Sequence, residues 1–238
     1  MGMFGLEAFT IAFIGGIVPS LIWLGFWLFE DRCEPEPKLR IVLTFVSGMA
    51  AVFFVYYLEV WVIPFTSDFM LSGVPVLEFL AWAFFEETFK FLAAAAFGLS
   101  SSAYDEPIDA IIYLSTAALG FAAAENALFL FTSLHNGTLA ESVLSGNMRF
   151  VGATLLHTLS SATLGLCMAY AFYKSRMARY DAVAFGLILA IVLHTLFNFF
   201  ILQSGGSTIF FVFLLLWAGI VAVLFFTERV KRPARDYC

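Results

Sequence analysis

Charge is scarce in this chain. Asp, Glu, Lys and Arg together make up 13% of its 238 residues, about half the share found in an ordinary soluble domain. That is too little polar surface to keep a domain of this size in water, and it excludes disordered and coiled-coil architectures, which are built on charge. Cations are rarest of all. Twelve Lys and Arg against 18 Asp and Glu leave a net charge of -6, so no basic face exists for a nucleic-acid backbone and that partner class drops out. Cysteine is nearly missing too: Cys33, Cys167 and Cys238 are odd in number and have neither metal nor redox spacing, so no disulfide framework is expected. Among hydrolase signatures, Gly-x-Ser-x-Gly, His-Glu-x-x-His and Gly-x-Gly-Asp are all absent. Serine-nucleophile, zincin-type and aspartyl intramembrane chemistries therefore have no motif to rest on.

What fills the chain instead is apolar: 62% hydrophobic residues, with 30 Phe and 5 Trp. Runs of about 20 apolar residues cross a hydrocarbon core of roughly 30 Å. Cutting where charge, Pro or Gly/Ser clusters interrupt gives seven predicted membrane helices near residues 6–29, 40–63, 76–99, 108–133, 147–173, 182–203 and 208–227. The runs are continuous rather than alternating, which excludes a β-barrel. The expected fold class is an all-α polytopic bundle in one transmembrane domain, residues 1–238, ending in a basic tail at 228–238. The first run lacks a basic leader and a small-x-small cleavage site, so it is expected to stay in the mature protein. Loop charge sets the orientation. Arg32, Lys38 and Arg40, then Lys174, Arg176 and Arg179, then Arg229, Lys231, Arg232 and Arg235 fall on one side if seven spans alternate, against Arg149 alone on the other. By the positive-inside rule the N-terminus is extracytoplasmic and the C-terminus cytoplasmic.

Several polar residues interrupt the spans, each at a cost on the order of 2.5–3.5 kcal/mol for a charge at the bilayer centre. They are Glu86, Glu87 and Lys90 in the third span, Glu125 and Asn126 in the fourth, His157 in the fifth, and His194 and Asn198 in the sixth. With the spans alternating, Glu86, Glu125, His157 and His194 all lie roughly 12–15 Å below the outer surface at 1.5 Å per residue. Four helices thus bring ionisable groups to one level, which independent helix-linking residues have no reason to do. Spacing agrees: Glu86 and Lys90, His157 and Ser161, and His194 and Asn198 are each four residues apart on one helical face. Glu59, Glu78 and Asp109 fall nearer the predicted span ends and are read as structural.

Carboxylates and imidazoles in a partly dry pocket suit activation of water, with Glu as general base and His or Asn as donors to an oxyanion. That is the chemistry of peptide hydrolysis. In this reading Glu86 or Glu87 activates water, His157 and His194 complete the site, Asn198 orients or donates, and Lys90 offsets carboxylate charge. Consecutive helical residues point about 100° apart, so only one of the two Glu is expected to face the water. Charge accounting favours one divalent metal, Zn²⁺, over none. Lys90 balances only one of Glu86, Glu87 and Glu125, and burying the rest unpaired costs several kcal/mol each. His157, His194, Glu87 and Glu125 are the expected donors, two His with one Glu leaving an open position.

The motifs resemble the PrsW family of intramembrane proteases, within the wider superfamily of CAAX and bacteriocin-processing proteases. The resemblance rests on Glu86-Glu87-Thr88-Phe89-Lys90, on Asp109-Ala-Ile-Ile-Tyr113 leading to Gly120-Phe121 and Glu125-Asn126, on Arg149 with His157, and on His194-Thr-Leu-Phe-Asn198. Prenyl-protein endopeptidases of the superfamily carry Arg where Phe91 stands and His where Glu125 stands. The resemblance implies a multi-pass protease of a cell (inner) membrane, with supporting roles for Lys90, Glu125, Asn126 and Arg149; Ser161, one turn after His157, is read as supporting from its helical position. It further implies site-1-type cleavage of single-pass membrane proteins, such as anti-sigma factors, near the extracytoplasmic face. The superfamily also holds a noncatalytic scaffold, so a scaffold, channel or transporter is the competing class, with CAAX-type processing as a second alternative. The oligomeric state is left open.

Overall fold

The computed structural model describes residues 3–32, 34–66, 68–71, 73–136, 139–203 and 207–231, and their side chains outside 3–5, 136, 139–151, 202–203 and 207–209. Cys33 and residues 232–238 of the expected tail lie outside the described residues. Seven α-helices make up nearly all of the rest: α1 (Met3–Glu30), α2 (Lys38–Thr66), α3 (Val76–Ala94), α4 (Pro107–Asn136), α5 (Leu139–Ala171), α6 (Arg176–Gln203) and α7 (Ser207–Val230). The expected seven-helix all-α class is what the chain adopts. Five helices are long and apolar enough to cross a membrane on their own. The protein is a multi-pass membrane protein.

The ends differ from expectation where polarity and helicity part company. Helix α5 starts eight residues early and α6 six, because residues such as Glu141, Arg176 and Arg179 are poor in a bilayer yet good in a helix. The third run, expected as one span to residue 99, closes α3 at Ala94 and continues as a π-helical turn over Ala95–Leu99. A two-residue antiparallel ribbon was not foreseen. In it β1 (Met70–Leu71) pairs with β2 (Val74–Pro75), Met70 opposite Pro75, and Gly73 at φ 78° supplies the left-handed turn.

Helix α4 is the axle of the bundle. Every residue of its apolar window is buried, and it packs on α1, α2 and α5 most extensively. Ala110, Ser115, Thr116, Ala117, Ala118, Ala122 and Ala123 are all sealed, and such small residues let helix backbones approach closely in lipid. The α2 crossing is the tightest. A Cβ on Gly120 would collide with the Phe45 carbonyl oxygen, and one on Gly48 with that of Ala117. The outer helices show the reverse: Phe9 and Ile22, Phe53 and Phe54, Phe185 and Ile188, and Phe211 and Leu215 are exposed. An apolar surface of that extent fits lipid, not water. At the loop-basic end of the bundle, Arg40 donates to the Phe97 carbonyl at 3.4 Å, Tyr104 meets Phe172 edge-on, and Lys231 pairs with Glu30 at 2.6 Å. This end holds residues 31–32, 34–37, 100–106 and 172–175.

Candidate active site

Helix α3 brings three ionisable groups to one place through its own periodicity. Glu86 and Glu87 reach Lys90 across one turn, and the Lys90 ammonium donates to Glu86 Oε2 at 3.2 Å and to Glu87 Oε1 at 2.9 Å. All three are buried, Lys90 completely. The ammonium also lies 2.7 Å from His157 Nδ1 of α5 and 4.6 Å from the centre of the Phe121 ring of α4. Its charge is therefore spent entirely inside the protein, on two carboxylates, an imidazole lone pair and a ring face.

The two histidines are held in the same manner. His157 Nε2 lies 2.8 Å from Glu125 Oε2 of α4, and His194 Nδ1 of α6 lies 2.8 Å from Glu87 Oε1. With the N–H on the carboxylate-facing nitrogen, each ring keeps its lone pair on the other nitrogen. Those nitrogens turn toward Glu86: His157 Nδ1 is 3.6 Å from Glu86 Oε2, and His194 Nε2 is 3.8 Å from Glu86 Oε1. One donor atom from each of Glu86, His157 and His194 lies within 4.8 Å of the other two. The imidazoles meet edge to face with centroids 5.2 Å apart.

This arrangement passes a chemical test for a divalent ion. Two imidazoles and one carboxylate form an open three-ligand set, and each imidazole is aligned by a carboxylate on its far nitrogen, as metal-binding histidines usually are. The ammonium of Lys90 stands against two of the three donors, so an ion and the lysine contest His157 and Glu86. The donors differ from the expected set for a geometric reason. Glu87 and Glu125, expected as ligands, occupy the far side of the two rings, and Glu86 is the carboxylate on the converging side.

The other expected residues are placed as follows. Ser161 donates to Glu87 Oε2 at 3.3 Å, which with Lys90 and His194 gives Glu87 three partners. Asn126 is buried and donates to Thr154 at 3.0 Å, while its Oδ1 has no hydrogen-bond partner among the described residues. Asn198 is half-buried one turn beyond His194 and makes no hydrogen bond to the cluster among the described residues. The side chain of Arg149 lies outside the described residues. Glu59 of α2, read from sequence as structural, lies close to Glu86 and Glu125. The missed signal was depth: α2 runs to Thr66, three residues beyond the predicted end, which sets Glu59 about 10 Å below that end at 1.5 Å per residue, close to the level of the cluster. The Glu125 side chain is 26% exposed against 9% for that of Glu86, so the site opens on its Glu125 side.

A water-handling set of acids and imidazoles inside a membrane bundle is the equipment of an intramembrane hydrolase. Residues 36–225 match the PrsW family of intramembrane metalloproteases. The chain belongs to this family. It is 26% identical over 208 residues to the Protease PrsW of Geobacillus kaustophilus, covering 86% of this chain and 87% of the relative. Similarity to the Protease PrsW of Bacillus subtilis is 24% over 209 residues, 86% of this chain and 90% of that one. The Protease PrsW of Clostridioides difficile is 28% identical over 192 residues, 80% of this chain and 79% of the relative. No solved structure matches. The protein is an intramembrane protease, and its competing readings as a scaffold, channel or transporter recede.

Proposed function

We propose that the chain is a metal-dependent endopeptidase that cleaves single-pass membrane proteins near the extracytoplasmic face, with Glu86, His157 and His194 holding one Zn²⁺. The observation that carries this reading is the convergence of two imidazole lone pairs on Glu86, each ring being braced from behind by its own carboxylate. When bound, the ion would supply Lewis acidity, making water a nucleophile at neutral pH and polarising the scissile carbonyl. Glu125 and Glu87 hold the rings in the tautomer that presents a lone pair. Glu87 is saturated by three donors and is therefore no base. Glu59 is better placed for that task. It is half-buried on α2, close to both Glu86 and Glu125, and as an ionised carboxylate it is within reach of a water held at the site. Glu59 takes the proton of the attacking water and returns it to the leaving amine. Asn198 is the candidate donor to the oxyanion once substrate is present. Anti-sigma factors have the single-pass form this site would accept.

The test is cleavage of a model single-pass substrate by purified protein, with metal content measured on the same samples. Glu86→Gln, His157→Ala and His194→Ala should each lose both cleavage, by on the order of a thousandfold, and bound metal. Full activity with less than about a tenth of an equivalent of metal would leave a metal-free glutamate mechanism instead. Orientation is tested separately: a cysteine placed at Asp68 should label from outside the cell and one at Lys174 only from the cytoplasm. The reverse would move the site to the inner face.

A further inference from the structure

A second set of buried carboxylates lies at the loop-basic end of the bundle, away from the site just described. Asp31 follows the last residue of α1, Glu36 lies in the α1–α2 connection, and Asp109 is the third residue of α4; all three are buried. One carboxylate oxygen from each lies within 4.8 Å of the other two. Asp109 and Glu36 each have a donor outside the cluster. Asp109 Oδ2 accepts from the backbone N–H groups of Asp105 at 2.9 Å and Glu106 at 2.7 Å, as a residue at the third position of a helix does when it caps its own N-terminus. Glu36 sits between Pro35 and Pro37 in Asp31-Arg-Cys-Glu-Pro-Glu-Pro37, where a following proline keeps the backbone extended, and the Tyr113 hydroxyl donates to its Oε2. The backbone N–H of Glu36 lies near the Asp31 carboxyl.

A cluster of acids alone proves nothing, but this one has an orphan. Asp31 is 95% buried, and its Oδ2 has no exposure and no hydrogen-bond partner among the described residues. A sealed carboxylate oxygen left unpaired costs free energy unless something answers it. The nearby cation does not: Lys231 is engaged by Glu30 and Glu228. Glu34 acts on Asp31, and Asp105 on Asp109, with charge of the same sign.

We propose that Asp31, Glu36 and Asp109 form a binding site for a hard divalent cation, Ca²⁺ or Mg²⁺. Among the described residues the donors are all oxygen, with no imidazole or thiolate, which selects a hard ion and separates this site from the His-containing one. The ion would tie the end of α1 and the α1–α2 connection to the start of α4, the helix on which the whole bundle packs. It does not depend on the catalytic reading of the other cluster.

The experiment uses the full chain in detergent with Tb³⁺ as the probe, excited through the protein's own aromatic side chains. The Tyr113 ring, bonded to Glu36, is positioned to sensitise it. The expected result is sensitised emission that Ca²⁺ or Mg²⁺ displaces, weakened about tenfold or more in Tb³⁺ affinity by Asp31→Asn and retained in Glu86→Gln. If Asp31→Asn loses helical structure, Glu36→Gln carries the same expectation, with Ca²⁺ binding followed by calorimetry. No sensitised emission, emission equal in wild type and the acid variants, or displacement by Zn²⁺ alone would each overturn the proposal.

Discussion

Two clusters of buried carboxylates stand roughly 24 Å apart along α4, the rise of the sixteen residues from Asp109 to Glu125. They solve the same electrostatic problem in opposite ways. At the first, Glu86 and Glu87 share the ammonium of Lys90, and both histidines are drawn into the same network. At the second, Asp31, Glu36 and Asp109 lie together with backbone N–H groups and the Tyr113 phenol donating to them, and with the carboxyls of Glu36 and Asp109 against each other. A group that carries its own counter-ion can stay charged in a dry interior, whereas a group without one must hold protons or take an ion from outside. The difference separates a cluster that carries its own cation from one whose charge depends on its surroundings.

The largest effect should come from removing the internal counter-ion. Lys90→Met leaves Glu86 and Glu87 buried without a cation, and breaking a buried pair by deleting one partner costs about 3–5 kcal/mol. The variant should melt well below wild type in chelator. Zn²⁺ should recover much of that loss, because the ion no longer competes with the ammonium for His157 and Glu86. Thermal unfolding with and without Zn²⁺ measures both halves. Equal sensitivity of Lys90→Met and wild type to Zn²⁺ would break the contrast drawn between the clusters.

Much of the first cluster was legible in the sequence, and the second was not. Glu86, Glu87, Lys90, His157 and His194 announce themselves because ionisable residues are costly inside apolar spans, so their presence and common depth carry information. Periodicity placed Glu86 with Lys90, and His157 with Ser161, on shared faces. What pattern could not give is which nitrogen of each ring faces inward. That depends on whether a carboxylate from another helix stands behind the ring, so only in three dimensions does Glu86, rather than Glu87, lie where the two ring lone pairs converge. Glu59 was lost to a span cut at Ile63, since hydropathy falls before the helix ends. Asp31 and Glu36 lie in a loop where acids are ordinary, and only their burial beside Asp109 makes them unusual. The helix count was readable because lipid demands continuous apolar runs, while the ends of α5 and α6 answer to helix propensity rather than hydropathy.

The second cluster predicts a pH dependence that the first does not share. Burial, reinforced by the charge of Asp109, pushes the Asp31 carboxyl up from 3.8 to about 7. Burial, which outweighs the hydrogen bond from Tyr113, takes Glu36 from 4.5 to about 8. Both acids thus keep protons in the folded protein that the unfolded chain has already released. The folded state binds more protons across this window, so stability is lost as pH rises from about 4 through about 8. In chelator the melting temperature should fall steadily over that range, and Asp31→Asn or Glu36→Gln should flatten the slope. A wild-type slope of zero, or one unchanged in both variants, would remove the distinction between the clusters.

The smallest effect is expected at Ser161, and it bears on how the first cluster works. Its hydroxyl donates to Glu87 Oε2 at 3.3 Å, the oxygen not used by Lys90 and His194. Ser161→Ala therefore removes one of three partners from the carboxylate that His194 contacts at 2.8 Å. A lost hydrogen bond to a charged group is worth about 1.5–3 kcal/mol at most, and a long one less. Turnover should fall by about tenfold or less, with bound metal unchanged, because His194 keeps its direct 2.8 Å contact with Glu87. A serine acting as nucleophile behaves otherwise, since its removal eliminates the covalent step and takes essentially all activity with it. Single-turnover cleavage by Ser161→Ala, measured beside its metal content, separates the two. Loss of all cleavage with metal retained would make Ser161 the attacking group and reduce Glu86 and the histidines to its support.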